Sequence, residues 1–354
     1  MWLLMRCLPG IYPMQCSDSM LGECTSVVDR SKLTAMKRIL LALSAACVVF
    51  STPYAVAQAK PAKHFIVYLP FYRQGDMAAE LAATNLTGVT DIDIAFVAPP
   101  LCSGPCTSAS DFTINADSHT DAEVDAVVRL AHAKGISVMA SIGGGGDGVS
   151  EIAQFYNARL SAPLVASLTE YVNRHKLDGM DVDIEAPDNM GAPYADFVAK
   201  LITAMHAEGK LVSCATAKYI QASMPQATLL SFDYISLMVY SNLKDAQDAL
   251  NYFVNVKHVP AARVVLGVGF YGEGRNDVDA DYVDILNAYP NAYRVDTVGG
   301  GTLKDGIVLN YLGEDSMAKE AKLASQYGGI MVWQLLGDAR PPHSLLNVIR
   351  ANFR

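Results

Sequence analysis

No apolar run in this chain of 354 residues is long enough to cross a bilayer: the best candidate, Ile39 to Phe50, has 12 residues where a spanning helix needs ~20. Basic residues are scarce, 27 Lys and Arg against 36 Asp and Glu for a net charge of −9. A surface of that sign does not seek nucleic acid or anionic lipid. Cysteine and histidine never reach zinc-binding spacing, with no paired Cys set and no His-x3-His, so no metal site is expected. The glycine run Gly143 to Gly146 has no Lys-Ser or Lys-Thr after it, and Leu69-Pro70-Phe71-Tyr72 offers no glycine after the first apolar strand. A phosphate loop and a dinucleotide fold are thereby set aside. No Ser or Cys sits in a recognisable nucleophile elbow. With 51% hydrophobic residues, the chain nonetheless has ample material for a large core.

Residues 36–59 have the form of a secretory signal peptide: Met36, Lys37 and Arg38 precede the apolar run, and Ala55, Ala57 and Ala59 suit cleavage after Ala57 or Ala59. Residues 1–35 then read as an upstream extension, with Met36 as initiator. Ser44 and the continuing run Val48-Val49-Phe50 argue against lipidation at Cys47. The first 59 residues hold 5 of the basic and 3 of the acidic residues, so the remainder carries 22 and 33, a net charge of −11. A secreted or periplasmic protein, free of the membrane once cleaved, is the expectation. Of the seven cysteines, Cys102 and Cys106 flank Ser-Gly-Pro and suit a small-loop disulfide in an oxidising compartment. Cys214, on an apolar strand, reads as a buried thiol.

From residue 64 onward, short β-rich runs alternate with amphipathic segments. The strand-like runs are 65–69, 92–97, 137–142, 179–184, 211–215, 234–239, 264–270 and 329–333. Helical patterns span 121–134, 162–176, 194–208, 244–257 and 316–327, the first opening at Thr120 and stopping at Gly135. Eight such strands in residues 60–354 predict a single-domain (β/α)8 barrel over an open doubly wound sheet. The segment from Gly272 to Asn310 is poorly patterned and reads as long loops on the barrel face.

Chemistry concentrates in Asp178-Gly179-Met180-Asp181-Val182-Asp183-Ile184-Glu185. Alternation puts Asp181, Asp183 and Glu185 on one face of a strand whose other face is Val182 and Ile184. Desolvating ionised carboxylates costs several kcal/mol, so an acidic row on a core strand calls for a functional cause. Glu185 closes the strand, where barrel active sites lie, and Asp181 falls about 13 Å below it. Three adjacent carboxyls cannot all ionise easily, so a shared proton and a raised Glu185 pKa are expected, which suits a general acid. Other strand ends supply aromatics: Tyr68 and Tyr72, Phe96, Tyr240, Tyr271 and Trp333. Aromatic faces with polar tips suit sugar rings. His175 and His206, late in helices, read as satisfied surface residues without a catalytic role.

These residues resemble the family 18 glycoside hydrolases, the chitinase-like barrels. Asp178, Asp181, Asp183 and Glu185 fill that family's Asp-x-x-Asp-x-Asp-x-Glu signature, and Ser141, Gly143 and Gly144 its Ser-x-Gly-Gly. Met238-Val239-Tyr240 is similar to its Met-x-Tyr, and residues 329–333 to its closing Trp strand. The resemblance implies retaining, substrate-assisted hydrolysis of β-1,4-linked N-acetylglucosamine, without metal or cofactor. Glu185 would be the acid; Asp183 would hold the acetamido N–H; Asp181 would share a proton with Asp183; Tyr240 would bond the acetamido oxygen. Tyr68, Phe96, Met238, Tyr271 and Trp333 would contact sugar, Trp333 as the floor. Two departures stand out. Ser241 follows Tyr240 where the family usually has Asp, and the 39 residues from Gly272 to Asn310 are too few for the large α+β insertion of some relatives, which implies a shallower cleft. An endo-β-N-acetylglucosaminidase acting on N-glycan cores and a chitin-binding lectin are the competing readings.

Overall fold

The apolar runs from His64 onward close on themselves. In the computed structural model, which describes residues 63–107 and 113–354, the strands are β1 (His64–Pro70), β2 (Asp91–Ala95), β3 (Ser137–Gly144), β4 (Gly179–Ile184), β5 (Leu211–Thr216), β6 (Tyr234–Leu237) and β7 (Val264–Gly269). Four short strands follow, β8 (Tyr271–Glu273), β9 (Asp279–Asp281), β10 (Thr297–Val298) and β11 (Leu309–Asn310), and then β12 (Gly329–Trp333). Strands β1 to β7 and β12 pair in parallel around a closed barrel in the order β1-β12-β7-β6-β5-β4-β3-β2, the expected (β/α)8 architecture. The upstream extension and signal peptide inferred for residues 1–59 lie outside the described residues. No helix among the described residues is long and apolar enough to cross a membrane.

A parallel sheet needs cover on both faces. Ile92, Ile94, Val182, Ile184, Leu266 and Val332 point outward into the core beneath the helices. Ile66, Met139, Tyr234, Val265 and Met331 fill the barrel interior. The helix Asp121–His132 opens where expected, the Thr120 backbone N–H donating to the Glu123 carboxylate at 2.7 Å, and Gly135 terminates the turn at φ +71°. The pattern over 244–257 resolves into a helix, Leu243–Asn251, and a wider turn, Tyr252–Val256. A helix not foreseen, Asp147–Asn157, starts directly after the glycine run. Cys102 and Cys106 are bonded, and Cys214 is buried and free.

The segment expected to form long loops instead folds as an antiparallel sheet, β10-β11-β8-β9, with the helix Tyr282–Ala288. Its strands have two or three residues each, too short for a period-2 signal to show. The Arg73 guanidinium clamps this small layer to the barrel, donating to both oxygens of Asp281 at 2.6 and 2.9 Å. It remains far from a large insertion.

Glu320, on the helix Glu314–Ala324, is fully buried with neither carboxyl oxygen hydrogen-bonded. Burial, with Asp296 and Asp245 nearby, pushes its pKa up to about 8. The folded state thus holds a proton that the unfolded chain has lost, so stability falls as pH rises from the ordinary Glu range through about 8. Glu320→Gln should raise stability at pH 8 by roughly 1–3 kcal/mol, less than the full shift because the amide also lacks partners, with the gap closing toward pH 4. Thermal melts across that range check it; a constant offset would refute the titration.

Candidate active site

Register brings the acidic row to a set of hydroxyls. Asp181 on β4 stands level with Ser141 on β3 and Ser213 on β5. Its carboxylate accepts from Ser213 Oγ at 2.6 Å and from Ser141 Oγ and Tyr68 Oη at 2.7 Å each. Burial raises the Asp181 pKa and these hydroxyls pull it back, so Asp181 is the buried acid best able to hold charge. Asp183, two residues higher, is 2% exposed, and its Oδ1 has no hydrogen-bond partner. Burial first, then Glu185 and Asp181, drive its pKa well above the usual carboxylate range. Glu185, just past β4, is partly exposed, and burial raises its pKa too. The upward shift is opposed by three hydroxyls at Asp181 and unopposed at Asp183 and Glu185.

Above it lies a cavity of about 660 Å³. Asp183, Glu185, Met238, Tyr240 and Tyr271 line one part of it, and Phe96 and Trp333 another. Trp333 stacks on Phe96 at 5.7 Å and on Tyr72 at 6.2 Å between centroids. Tyr240 meets the edge of Tyr271 at 5.9 Å. Burial and then Asp183 hold the Tyr240 phenol neutral, a hydrogen-bond donor.

Two sequence-based expectations need correction, at Tyr68 and His175. Tyr68 does not line the cavity: at 1% exposure it lies beneath Trp333, edge-on at 5.3 Å, with its hydroxyl committed to Asp181. Asp178 is outside the barrel, where its carboxylate accepts from Val138 N and bonds His132 Nε2, each at 2.8 Å. Asp233 repeats that device with Val212 N and His206, so both acids are strand staples. His175 is buried rather than on the surface, bonded to Asp125 at 2.9 Å.

The glycine signature is steric. At Gly143, with φ +104°, a Cβ would meet the Asp183 carbonyl at 2.4 Å, and at Gly144 one would meet the Phe96 ring at 2.6 Å. Gly143→Ala is expected to cost roughly 2–5 kcal/mol, since backbone must shift and a positive φ must be held. Urea unfolding measures it; an unchanged midpoint would exclude that close approach.

Sequence reasoning missed Asp93, which is 1% exposed inside the barrel with both carboxyl oxygens unpartnered and a pKa driven well up by burial and then by Asp181. Its signal was present: Asp91-Ile92-Asp93 alternates as Asp181-Val182-Asp183 does. Tyr219, Glu273 and Asn310 also line the cavity; Glu273 and Asn310 end strands of two or three residues and Tyr219 lies outside any strand, so no pattern betrays them. Ser241 lines it as well. Its Oγ and Asn242 Nδ2 both donate to Asp245 at 2.7 Å, tying this loop to the helix Leu243–Asn251.

Residues 64–338 match Glycosyl hydrolases family 18. The chain belongs to that family. Its fold is that of the family 18 chitinase ChiB from the chitin utilization locus of Flavobacterium johnsoniae, with TM-score 0.69 and 23% identity over 83% of this chain and 94% of that one. The chitinase-like agglutinin RobpsCRA of Robinia pseudoacacia shares it, with TM-score 0.63 and 16% identity over 82% and 99%. A chitinase-like effector of Moniliophthora perniciosa is 32% identical over 87 residues, which is 25% of this chain and only 20% of that protein. Both a chitinase and a chitinase-like agglutinin thus share this barrel fold.

Proposed function

We propose that the chain is an exported glycoside hydrolase that cleaves β-1,4-linked N-acetylglucosamine in chitin or its oligomers, with retention and by substrate assistance. What carries this reading is Asp183: a buried carboxyl, one oxygen unsatisfied, beside a Glu185 whose pKa burial raises and under an aromatic-walled cavity. Glu185 protonates the glycosidic oxygen as the C1–O bond breaks, and the acetamido carbonyl oxygen closes on C1 to give an oxazolinium ion. Asp183 accepts the acetamido N–H and balances the positive charge, with Asp181 below taking the shared proton. Tyr240 donates to the acetamido oxygen and Trp333 supports the ring. Glu185 then deprotonates a water that opens the oxazolinium from the departed side. No step calls for a metal or cofactor.

The Cys102–Cys106 disulfide supports export. Survival of Glu185 beneath an open cavity favours catalysis over a lectin role. Sugar release from chitin oligomers and from a high-mannose glycopeptide, compared side by side, tests the substrate: cleavage of the glycopeptide alone would favour the endo-β-N-acetylglucosaminidase, and saturable binding without turnover a lectin.

A further inference from the structure

The disulfide and the glycine signature meet at one side chain. Gln154 sits on the helix Asp147–Asn157, whose first turn packs so closely on β3 that a Cβ at Gly148 would collide with the Gly143 carbonyl. From there its amide reaches the loop that follows β2. Gln154 Oε1 accepts from Cys102 N at 3.0 Å, Cys106 Sγ lies 3.2 Å from the same oxygen, and Gln154 Nε2 donates to the Pro100 carbonyl at 3.3 Å. Cys106 belongs to the buried core, and its bond ties Cys102, at a sequence separation of 4, to that core. The neck of the loop is closed separately, Ala98 N donating to Asn115 O at 2.9 Å and Asn115 N to Ala98 O at 3.0 Å. Between neck and bridge stand Pro99 and Pro100, which have no N–H and so cannot pin themselves by donating. Their place depends on the bonds to either side.

These prolines wall a second cavity, of about 450 Å³, which shares Phe96 and Gly145 with the cavity over Asp183. Tyr72, exposed and lining the second cavity, lies 22° from parallel with Trp333, which lines the first. A sugar chain that overruns the central cavity meets aromatic surface here. We propose that Gln154 and the Cys102–Cys106 bridge are positioning residues for this second cavity: they hold the Pro99–Pro100 wall against the further units of an acetylated sugar chain and so set the preference for long oligomers over short ones. This rests on the hydrolase reading given above for the identity of the ligand. With the wall released, it must be ordered at each binding event, and that cost falls on the long ligand alone.

Calorimetry of diacetylchitobiose and of hexaacetylchitohexaose on a Glu185→Gln background, where turnover is blocked, reads the effect directly. The disaccharide can be housed by the central cavity; six linked sugars must leave it. Four forms are compared: the bridged protein, the same protein reduced with dithiothreitol, a Cys102→Ser, Cys106→Ser double variant, and Gln154→Met, which keeps the side chain's length and neither bond. The hexamer should bind roughly 3–10-fold more weakly in the last three, with the disaccharide within about twofold throughout. Reduction added to Gln154→Met should change little more, because both release one wall. A damaged barrel would weaken both ligands, so the ratio separates the two effects. An unchanged hexamer affinity, or a loss shared equally by both sugars, overturns the inference. Turnover of a fluorogenic chitobioside by the parent is followed alongside: the expected binding without that turnover keeps the wall's role and overturns the hydrolase reading, and no binding of either sugar overturns both.

Discussion

Glu185→Gln should lower kcat on a fluorogenic chitobioside by about 10³-fold or more and leave KM within a few-fold, because the amide keeps the shape of the side chain but has no proton to give. The geometry makes the loss large. Glu185 stands at the mouth of the row as its most exposed member, and burial raises its pKa above the ordinary Glu range. The other carboxylate lining the central cavity besides the row, Glu273, belongs to the added sheet. A substrate whose leaving group needs no protonation should recover part of the loss in Glu185→Gln. Near-native turnover on the chitobioside would remove Glu185 from the acid's role and leave the barrel closer to an agglutinin.

The acid row was legible because a period of two is the strongest statement a strand can make, and three carboxylates on the inward period have no packing excuse. The barrel was legible in eight apolar runs that alternate with amphipathic helical patterns. Depth was not. Trp333 closes β12 and Tyr68 stands two residues short of the end of β1, yet Tyr68 is buried with its hydroxyl on Asp181 while Trp333 lines the cavity, a difference that neither residue's place in its own strand announces. Asp93 passed unnoticed because its electrostatic neighbours Tyr68 and Asp181 are far away in sequence and adjacent only once the sheet closes. Glu273, Asn310 and Tyr219 come from segments whose strands and turns are too short to carry periodicity, so their convergence on the cavity exists only in three dimensions. At the departure, the Ser241 hydroxyl and the Asn242 amide both donate to Asp245, which does not line the central cavity.

Asp183→Asn should cut kcat by about 10²–10³-fold, since an amide can still accept the acetamido N–H but cannot balance the charge of an oxazolinium. Two further readouts distinguish that role from a packing fault. The first is affinity for a thiazoline analogue of the cyclic intermediate, which should weaken in step with kcat, whereas binding of the unreacted oligomer should change little. The second is the pH profile. Glu185 raises the proton affinity of Asp183, and a charged Asp183 repels a second charge on Glu185 in turn, so removing that carboxyl should let Glu185 ionise earlier and move the alkaline limb of kcat/KM to lower pH. The sign follows from the charge removed: with less negative potential at Glu185, its proton leaves more readily, and the acid form is lost sooner as pH rises. Full turnover with native thiazoline binding would mean that the acetamido group is not the nucleophile. The unsatisfied oxygen of Asp183 would then need another tenant, and the hydroxyls of Tyr68, Ser141 and Ser213 would be holding Asp181 for a different reaction.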